Sequence, residues 1–305
     1  MTWKMQFLVA LSLKFLMDNF NFEKGVSLKD FCTFHIGGKA KFLFVANNTT
    51  TLINVCLYCQ THSIKYKIIG LGANLLFDDL GYNGLIIVNK TNEILFRKNN
   101  IFASSGVNVT NLIMKCCMRS LCGFERLAGI PSTVGGAVVN SLGAFDTNFS
   151  DFVEYVECYH KSDLTKKLRL SKDACKFSYR TSLFKSGEYI ITRVKLKLFE
   201  DDKTLIQKRI KEVTLKKKSS QPLDQHSAGS VFKRTNIIPA KVIDELGLKG
   251  TKIGGAEISI KHAGFIINSN SATSEDVKQL ITLIQEKVKS ATNEDLSPEI
   301  EFVEY

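Results

Sequence analysis

A glycine-rich but hydrophobic stretch, residues 123–144, is the feature that most constrains this chain. Five of its 22 residues are glycine, and most of the others are apolar or β-branched. Such a segment is too hydrophobic for a flexible linker and too rich in glycine for an ordinary helix or strand. With Ile130, Pro131, Ser132 and Thr133 near its centre, it predicts a buried loop whose backbone N–H groups face an anion. A tight turn inside a core is the alternative that the stretch alone leaves open.

A second segment, residues 67–77, contains an apolar strand that runs into a Gly-x-Gly turn closed by Asn74. It superficially resembles a dinucleotide-binding fingerprint. The third glycine of that fingerprint is missing, and the chain returns to an apolar strand at Leu85–Val88 instead of entering a helix. We therefore predict a loop within a sheet, and the strand–helix–strand order of residues 42–88 indicates a small α/β unit.

The composition is that of a globular protein with a basic surface. Of the 305 residues, 44% are hydrophobic and 23% charged, and 41 Lys and Arg against 30 Asp and Glu give a formal charge of +11. A basic surface suits nucleic acids, membranes or phosphorylated small molecules. The phenylalanines lie in apolar runs, which are typical of a core and not of a base-stacking platform. Nucleic-acid binding is therefore the weaker interpretation.

The cysteines and the N-terminal residues bear on metal binding, on the cellular compartment and on secretion. Cys56 and Cys59 have the spacing of a metal or redox pair, but no second pair or histidine spacing completes a zinc site. We interpret all eight cysteines as reduced, apolar residues of a cytoplasmic protein. Residues 1–24 are expected to form an amphipathic helix, because their pattern fits a signal peptide poorly. No apolar run is long enough to cross a membrane.

Hydrophobic periodicity and capping residues predict the other elements. Strands are expected at residues 42–45, 67–69, 85–88, 101–103, 153–159, 189–199, 257–260, 264–267 and 299–303. Helices are expected after Thr49 or Thr50, from Thr110 to Leu121, at 201–218, from Pro239 to Gly247, and from Thr273 with Asp276 in a capping box. The buried stripe of the 201–218 helix is predicted to be Leu205, Ile206, Ile210 and Val213. Pro222 marks the clearest domain boundary.

A set of short blocks, in order from about residue 30 to the C-terminus, resembles one family. The blocks are Ile69–Phe77, Leu127–Ala144, Thr33–Gly38, Tyr179–Lys185, Ser227–Lys233, Leu248–Gly250, Ile253–Ala256, His262–Asn268 and Pro298-Glu299. Together they are similar to the UDP-N-acetylenolpyruvoylglucosamine reductases, the MurB family of bacterial cell-wall synthesis. A single block is weak evidence, whereas the ordered set is specific.

The resemblance implies an α+β protein with a split FAD-binding fold of the vanillyl-alcohol-oxidase (PCMH) type and a C-terminal α+β substrate-binding domain. The expected parts are two FAD-binding subdomains, residues 1–95 and 96–218, and a substrate domain, residues 219–305. FAD and NADPH are the implied cofactors, and a UDP-sugar is the implied substrate. The resemblance implies a cytoplasmic monomer with no metal, nucleic-acid or membrane partner.

Three catalytic residues follow from the resemblance. In the reaction that the resemblance implies, hydride passes from NADPH through FAD to the methylene carbon of an enolpyruvyl ether, giving UDP-N-acetylmuramate, and the three residues are expected to have the following roles. Ser230 donates a proton to the adjacent carbon, which requires neighbours that stabilise the alkoxide, because serine is a weak acid. Arg180 binds the substrate carboxylate. Glu299 polarises the same enolate if it is protonated, which requires a raised pKa. From residue type alone, these would be a turn serine, a structural arginine and a strand-end carboxylate.

The resemblance also assigns cofactor and substrate contacts. The expected FAD-binding residues are Gly70, Leu71, Gly72, Ala73, Asn74, Leu75, Ile130, Pro131, Ser132, Thr133, Gly135, Gly136, Ala137, Asn140, Gly143 and Ala144. The expected substrate-binding residues are Tyr179, Lys233, Lys249 and His262, of which the last two would contact the diphosphate. Lys233 also lies three residues from Ser230, where it can assist proton donation.

Some positions depart from the family pattern. Cys32 replaces a usual Asn, Ala73 a usual Ser, Ser132 a usual Gly, and Arg234-Thr235 a usual Asn-Pro. Ala73 lacks a hydroxyl for a phosphate, a loss of about 1 kcal/mol. None of these changes removes a catalytic side chain, so we expect an active enzyme with weaker flavin retention.

One connection bears on the class of enzyme. The connection from Lys185 to Tyr189 is too short for an extra loop with a substrate-covering tyrosine, which indicates the shorter class of the family.

One alternative function is that of another flavin-dependent oxidoreductase of the same fold, acting on a hydroxy acid or alcohol. Such enzymes often tether FAD to His or Cys, and His35 is the only histidine near the early loops. A nucleic-acid-binding protein, with salt-dependent affinity, is the other alternative.

Overall fold

The computed structural model describes residues 20–305. The predicted N-terminal helix therefore lies mostly outside the described residues. Within them, strand β1 (Glu23–Ser27) pairs with the next strand, with Glu23 opposite Leu43 and Val26 opposite Ala40. The prediction that the helix reaches residue 24 is wrong, because this alternating segment forms the edge of a sheet.

The N-terminal sheet has the order β1-β2-β5-β3, and β2 and β3 both run parallel to β5. A helix, α1 (Thr49–Thr61), connects β2 to β3. Parallel strands covered on both faces carry continuous apolar runs, which explains why residues 42–45 and 85–88 were recognisable. The remaining bounds are β2 Lys39–Ala46, β3 Tyr66–Ile69, β4 Leu75–Phe77 and β5 Tyr82–Asn89.

The second sheet is antiparallel throughout, with the order β12-β11-β13-β7-β6. Its strands are β6 Ile94–Arg97, β7 Asn100–Ser104, β11 Val153–His160, β12 Asp163–Ser171 and β13 Tyr189–Lys197. Short pairs, β8 (Leu121–Cys122) with β14 (Phe199–Glu200) and β9 (Gly143–Ala144) with β10 (Thr147–Asn148), lie beside it. Its helices are α2 Val109–Cys117, α3 Val134–Val139 and α4 Lys203–Ser220.

The C-terminal sheet has the order β15-β18-β17-β16 and is also antiparallel. Its strands are β15 Ser227–Ser230, β16 Lys252–Ile253, β17 Ala256–Ile258 and β18 Phe265–Asn268. Helix α5 (Pro239–Glu245) and helix α6 (Ser274–Thr292) belong to the same part of the chain. The predicted capping box of α6 is confirmed, because Thr273 and Asp276 satisfy each other's backbone amides.

The two ends of the chain are joined by a parallel pair of strands. Strand β19 (Glu301–Val303) pairs with β4, with Glu301 opposite Leu75. One hydrophobic core then runs from the N-terminal sheet into α6, and includes Leu43, Phe77 and Ile281. The last strand thus brings residues near the C-terminus next to the first glycine loop.

Several predicted helix boundaries are wrong by one or two residues. The cap of α1 is Asn48, whose side chain accepts a hydrogen bond from the Thr51 amide at 2.8 Å, and not Thr49 or Thr50. The cap of α2 is Asn108 and not Thr110. Asparagine is an equally good acceptor at this position, so residue type alone did not decide between neighbours.

One prediction of burial is wrong, and one strand was not predicted. Leu205 was placed on the buried stripe of α4 but is 50% exposed, while Ile206 is fully buried. Strand β12 was not predicted, because its lysine-rich sequence has little apolar alternation. It lies at the edge of the second sheet, where charged side chains are common.

The prediction of reduced cysteines is confirmed, since all eight are free thiols and seven of them are buried. Burial raises the pKa of Cys59 and of Cys116 to about 12, so these thiols stay protonated at neutral pH. Among residues 20–305, no helix has both the length and the apolar content that a membrane crossing requires.

Candidate active site

The two glycine loops lie against each other. A Cβ atom added to Gly70 would lie 2.6 Å from Oγ1 of Thr133, which is the N-cap of α3. On the other side, a Cβ on Gly72 would lie 2.1 Å from the carbonyl oxygen of Phe31. Only glycine permits these approaches. The Gly-x-Gly turn is therefore held between the loop at residues 31–33 and the start of α3.

Backbone amides in both loops have no partner within the protein. In the described residues, no acceptor is hydrogen-bonded to the amides of residues 70–74 or to those of Ser132 and Thr133. The amides of the next two residues in the chain do have acceptors: Val134 donates to the Val107 carbonyl and Gly135 to the Ser105 carbonyl. Free amide donors in two touching loops fit an anionic group such as a diphosphate.

Arg180 and Glu299 form an ion pair between the second sheet and the C-terminal part. Arg180 Nε lies 2.6 Å from Glu299 Oε1, and both side chains are about one-fifth exposed. Among residues 20–305, the two terminal nitrogens of the guanidinium have no hydrogen-bond acceptor. Arg180 has a φ of 55°, which is unusual for a residue with a side chain. Its guanidinium thus has donors available for a ligand.

Ser230 lies beside this pair at the end of β15. The Glu299 amide donates to the carbonyl of Val231 at 2.6 Å, which joins the two segments directly after Ser230. Phe232 and Pro298 form an isolated β-bridge at the next position. The Ser230 side chain is exposed and has no hydrogen bond to a described residue. Backbone pairing therefore places the residue that follows Ser230 against Glu299, a member of the ion pair.

Glu299 also connects to the first glycine loop. The Asn74 side chain donates to the Glu299 carbonyl at 3.1 Å, and the Glu301 amide donates to the Asn74 carbonyl at 2.9 Å. Burial raises the pKa of the Glu299 carboxyl, while the charges of Arg180 and two lysines act in the opposite direction. Burial thus shifts this carboxyl towards its protonated form.

Tyr179 and Lys233 lie on either side of the same junction. The Tyr179 hydroxyl accepts a hydrogen bond from the Arg234 amide at 3.1 Å, although its ring is 56% exposed. The Lys233 amide donates to the Ser297 carbonyl at 2.9 Å, and its side-chain charge acts on Glu299. Both predicted substrate contacts therefore lie where the second sheet meets the C-terminal part.

Lys249 and His262 form a second group. Lys249 Nζ lies 2.5 Å from Asp244 Oδ2, so its charge is already paired. Burial lowers the pKa of His262, and the charge of Lys249 acts in the same direction. His262 Nδ1 accepts from the Gly264 amide at 3.1 Å, which leaves the proton of the neutral ring on Nε2. In the described residues, no side-chain hydrogen bond or ion pair joins this group to Ser230, Arg180 or Glu299.

The other predicted cofactor residues occupy α3 and its flanks. Pro131 and Leu71 are exposed, Thr133 and Ala137 are buried, and Gly143-Ala144 form the short strand β9. Leu75 is buried and lies in β4, opposite Glu301. Asn140 ends α3, and its side chain accepts a hydrogen bond from Lys185.

Comparisons with known proteins agree with this arrangement. Residues 221–303 match the family model described as the C-terminal domain of UDP-N-acetylenolpyruvoylglucosamine reductase, and residues 40–163 match that of an FAD binding domain. The enzyme of that name from Caldicellulosiruptor bescii is 38% identical over 286 residues, or 92% of this chain and 90% of the relative. The one from Caldanaerobacter subterraneus is 37% identical over 278 residues, or 90% and 91%.

The chain belongs to the UDP-N-acetylenolpyruvoylglucosamine reductase family. The solved structure of MurB from Thermus caldophilus aligns with a TM-score of 0.79 and 32% identity, over 91% of this chain and 97% of that one. The predicted family and the predicted fold, an FAD-binding domain followed by a C-terminal α+β domain, are therefore confirmed. The division at residues 95 and 218 stays a prediction.

Within this MurB-family chain, the sequence missed two polar residues beside the site. Lys185 is the last residue of a block that resembles the family, and the resemblance assigned it no role. Lys67 forms an ion pair with Glu301, two residues after Glu299. Neither residue had a local signal, because a lysine is usually solvent-exposed and its type alone does not indicate a site.

Proposed function

We propose that this protein reduces UDP-N-acetylglucosamine enolpyruvate to UDP-N-acetylmuramate in peptidoglycan precursor synthesis, with FAD as its bound cofactor and NADPH as reductant. The observation that carries the proposal is the Arg180–Glu299 ion pair, which lies beside the first glycine loop and is joined by a backbone hydrogen bond to the residue after Ser230. Membership of the reductase family supports assigning this reaction to the site.

The residues present fit FAD. The free amides of residues 70–74, Ser132 and Thr133 would hold its diphosphate, since both loops are in contact and neither uses these donors internally. Residues of α3 and its flanks, including Gly135, Gly136 and Asn140, would line the same region. FAD supplies the hydride transfer, and the protein supplies binding, orientation and charge stabilisation.

Each catalytic side chain has a task in the reduction. The unused donors of Arg180 would bind the substrate carboxylate, where negative charge increases as hydride reaches the neighbouring carbon. Glu299, with a pKa raised by burial, would donate a hydrogen bond to the same enolate when protonated. The Ser230 hydroxyl would transfer its proton to the α-carbon, with Lys233 stabilising the alkoxide that remains.

The substrate would extend over the C-terminal part. Tyr179 and Lys233 lie at the junction of the two parts, and neutral His262 presents an N–H donor from Nε2. Lys249 would contact the diphosphate if the ligand displaced Asp244 from its ion pair. We also propose a cytoplasmic monomer of the shorter class, divided near residues 95 and 218.

The direct test is an assay of NADPH oxidation with UDP-N-acetylglucosamine enolpyruvate. We expect the purified protein to carry a flavin that acid releases completely, and to consume NADPH only when this substrate is added. Substrate-independent oxidation, or a flavin that stays attached after denaturation, would instead favour an oxidase of the same fold. A bound flavin with no activity on the enolpyruvyl ether would reject the proposed substrate.

A serine variant tests the proton transfer separately. Ser230→Ala should lower kcat by about 10²- to 10⁴-fold, because a positioned proton donor contributes that much. NADPH should still bleach the flavin at the wild-type rate in stopped-flow measurements, because that half-reaction does not use the serine. Ser227→Ala, on the same strand, is the matched control and should retain activity. Equal loss in both half-reactions would contradict the assigned role.

A further inference from the structure

The segment from Arg180 to Lys185 is fastened to the C-terminal end of α3 at two points. The Ser182 hydroxyl donates to the Val139 carbonyl at 2.9 Å, and Lys185 Nζ donates to Asn140 Oδ1 at 2.6 Å. Arg180, at the other end of the segment, contacts Glu299. The segment therefore bridges the helix of the second glycine loop and the strand region that carries the catalytic carboxyl.

Lys185 lies among charges as well as in this bridge. It is half-buried, and the carboxylates of Glu299 and Glu301 and the ammonium groups of Lys233 and Lys67 all act on it. Glu301 begins β19 and Glu299 lies two residues before it, so both carboxylates belong to the segment that contacts Arg180 and Lys67. Lys67 is paired with Glu301, whereas Lys185 has no carboxylate within ion-pair distance in residues 20–305.

We propose that Lys185 is a positioning residue for the catalytic pair: it fastens the Arg180 segment to α3 and places an ammonium charge in the surroundings of Glu299. The inference rests on the proposed function only for its effect on turnover. The structural arrangement, and the effect of a cation on a nearby carboxyl, do not depend on the identity of the substrate.

The sign of the electrostatic effect follows from the charges around Glu299. Arg180, Lys185 and Lys233 each favour its ionised form, and burial favours its protonated form. Removing the Lys185 charge removes one of the effects that lower the Glu299 pKa, whereas the effect of burial, which raises it, remains. The Glu299 pKa must therefore rise further. If the protonated carboxyl is the active form, activity declines as pH rises through that pKa, and the decline moves to higher pH in the variant.

The test compares three changes at one position. Lys185→Met removes both the charge and the hydrogen bond, Lys185→Gln keeps a donor for Asn140 without the charge, and Lys185→Arg keeps the charge. The matched control is Lys195→Met, which removes another half-buried lysine that is paired with Glu154 in the second sheet. Thermal melting shows which variants are folded, and the Gln and Arg variants retain the comparison if Met does not fold.

The primary readout is a ¹³C NMR titration of the glutamate carboxyls in the protein without substrate, with Glu299→Gln identifying the resonance. We expect the Glu299 titration to move to higher pH in the Met and Gln variants, and to stay at the wild-type position in the Arg and control variants. An unmoved titration in both neutral variants would overturn the electrostatic part of the proposal.

The secondary readout is the pH profile of kcat/KM. Lys185→Met should lower kcat/KM by roughly 10- to 100-fold, as expected when a catalytic group is displaced by a fraction of an ångström to 1 Å, and Lys185→Arg should restore part of it. A loss no larger than in Lys195→Met would overturn the positioning role. Absence of wild-type activity on the enolpyruvyl ether would reject the proposed function and leave the NMR result valid.

Discussion

Replacing Gly70 by alanine should weaken flavin binding without unfolding the protein. The new Cβ would lie 2.6 Å from Thr133 Oγ1 and 2.9 Å from Cγ2, against the 3.4 Å at which ordinary contact begins. The backbone of Gly70 does not require positive φ, so the effect is purely steric. Either the first loop withdraws or the threonine rotates away from the Gly136 amide that it caps at 3.2 Å.

The size of the effect follows from these two routes. Overpacking typically costs about 1–3 kcal/mol, and loss of an N-cap hydrogen bond about 1 kcal/mol. Because both loops carry the free amides, this cost falls on the cofactor site, and about 1–3 kcal/mol corresponds to a roughly 5- to 150-fold rise in the flavin dissociation constant. Titration of the apoprotein with FAD, followed by flavin fluorescence, measures it.

Two variants make the test specific. Gly70→Ala combined with Thr133→Ala leaves only the threonine Cβ, 3.3 Å from the new atom, so much of the affinity should return. Gly84→Ala, whose Cβ would lie 2.4 Å from the Lys65 carbonyl in another part of the first sheet, should reduce stability but not flavin affinity. Unchanged affinity in Gly70→Ala, or a loss that the second substitution does not relieve, would refute the placement of the cofactor between these loops.

Two further predictions concern stability. Lys217 is 2% exposed, donates to the Ala128 carbonyl at 2.6 Å, and has its pKa lowered to about 8 by burial. The unfolded chain holds this proton more tightly than the folded protein does, so raising the pH favours the folded state. Between pH 7.5 and 9.5, the free energy of unfolding should increase by about 2 kcal/mol more in the wild type than in Lys217→Met. Urea unfolding at the two pH values measures it, and an equal change in both proteins would contradict the prediction. Asp276→Ala removes an acceptor for the Thr273 and Gly255 amides at 3.0 and 3.1 Å, and should cost about 1–2 kcal/mol. Asp276→Asn should retain most of that stability in thermal melts. A loss as large in Asp276→Asn as in Asp276→Ala would contradict the capping role.

Elements with strong local signals were predictable from the sequence. The parallel strands near residues 42–45 and 85–88 are buried on both faces, and α6 has both a capping box and a regular apolar stripe. Signals failed where the tertiary environment overrode them. Leu205 and Ile206 are both apolar neighbours at the start of α4, and only the packing decides that Ile206 is inside.

The sequence blocks that resemble the family predicted which residues belong to the site, but not how these residues are arranged in space. The glycines of residues 70–72 and 135–136 imply close backbone approach, but not which atom approaches. Nothing local in the sequence indicates that Gly70 meets Thr133, or that Lys185 reaches Asn140. A resemblance carries residue roles along a motif, whereas a contact between motifs depends on how the sheets pack.

The sequence by itself determined the family and the two glycine loops and pointed to Ser230, Arg180 and Glu299 as candidate catalytic residues, because these depend on residue types in a fixed order. Only the tertiary structure decided that Glu299 forms an ion pair with Arg180 and a backbone hydrogen bond with Val231, the residue after Ser230. That meeting requires β19 to pair with β4 and thereby bring the end of the chain back to its first third. Pairings between strands more than 200 residues apart are set by the shared core, which no local pattern encodes.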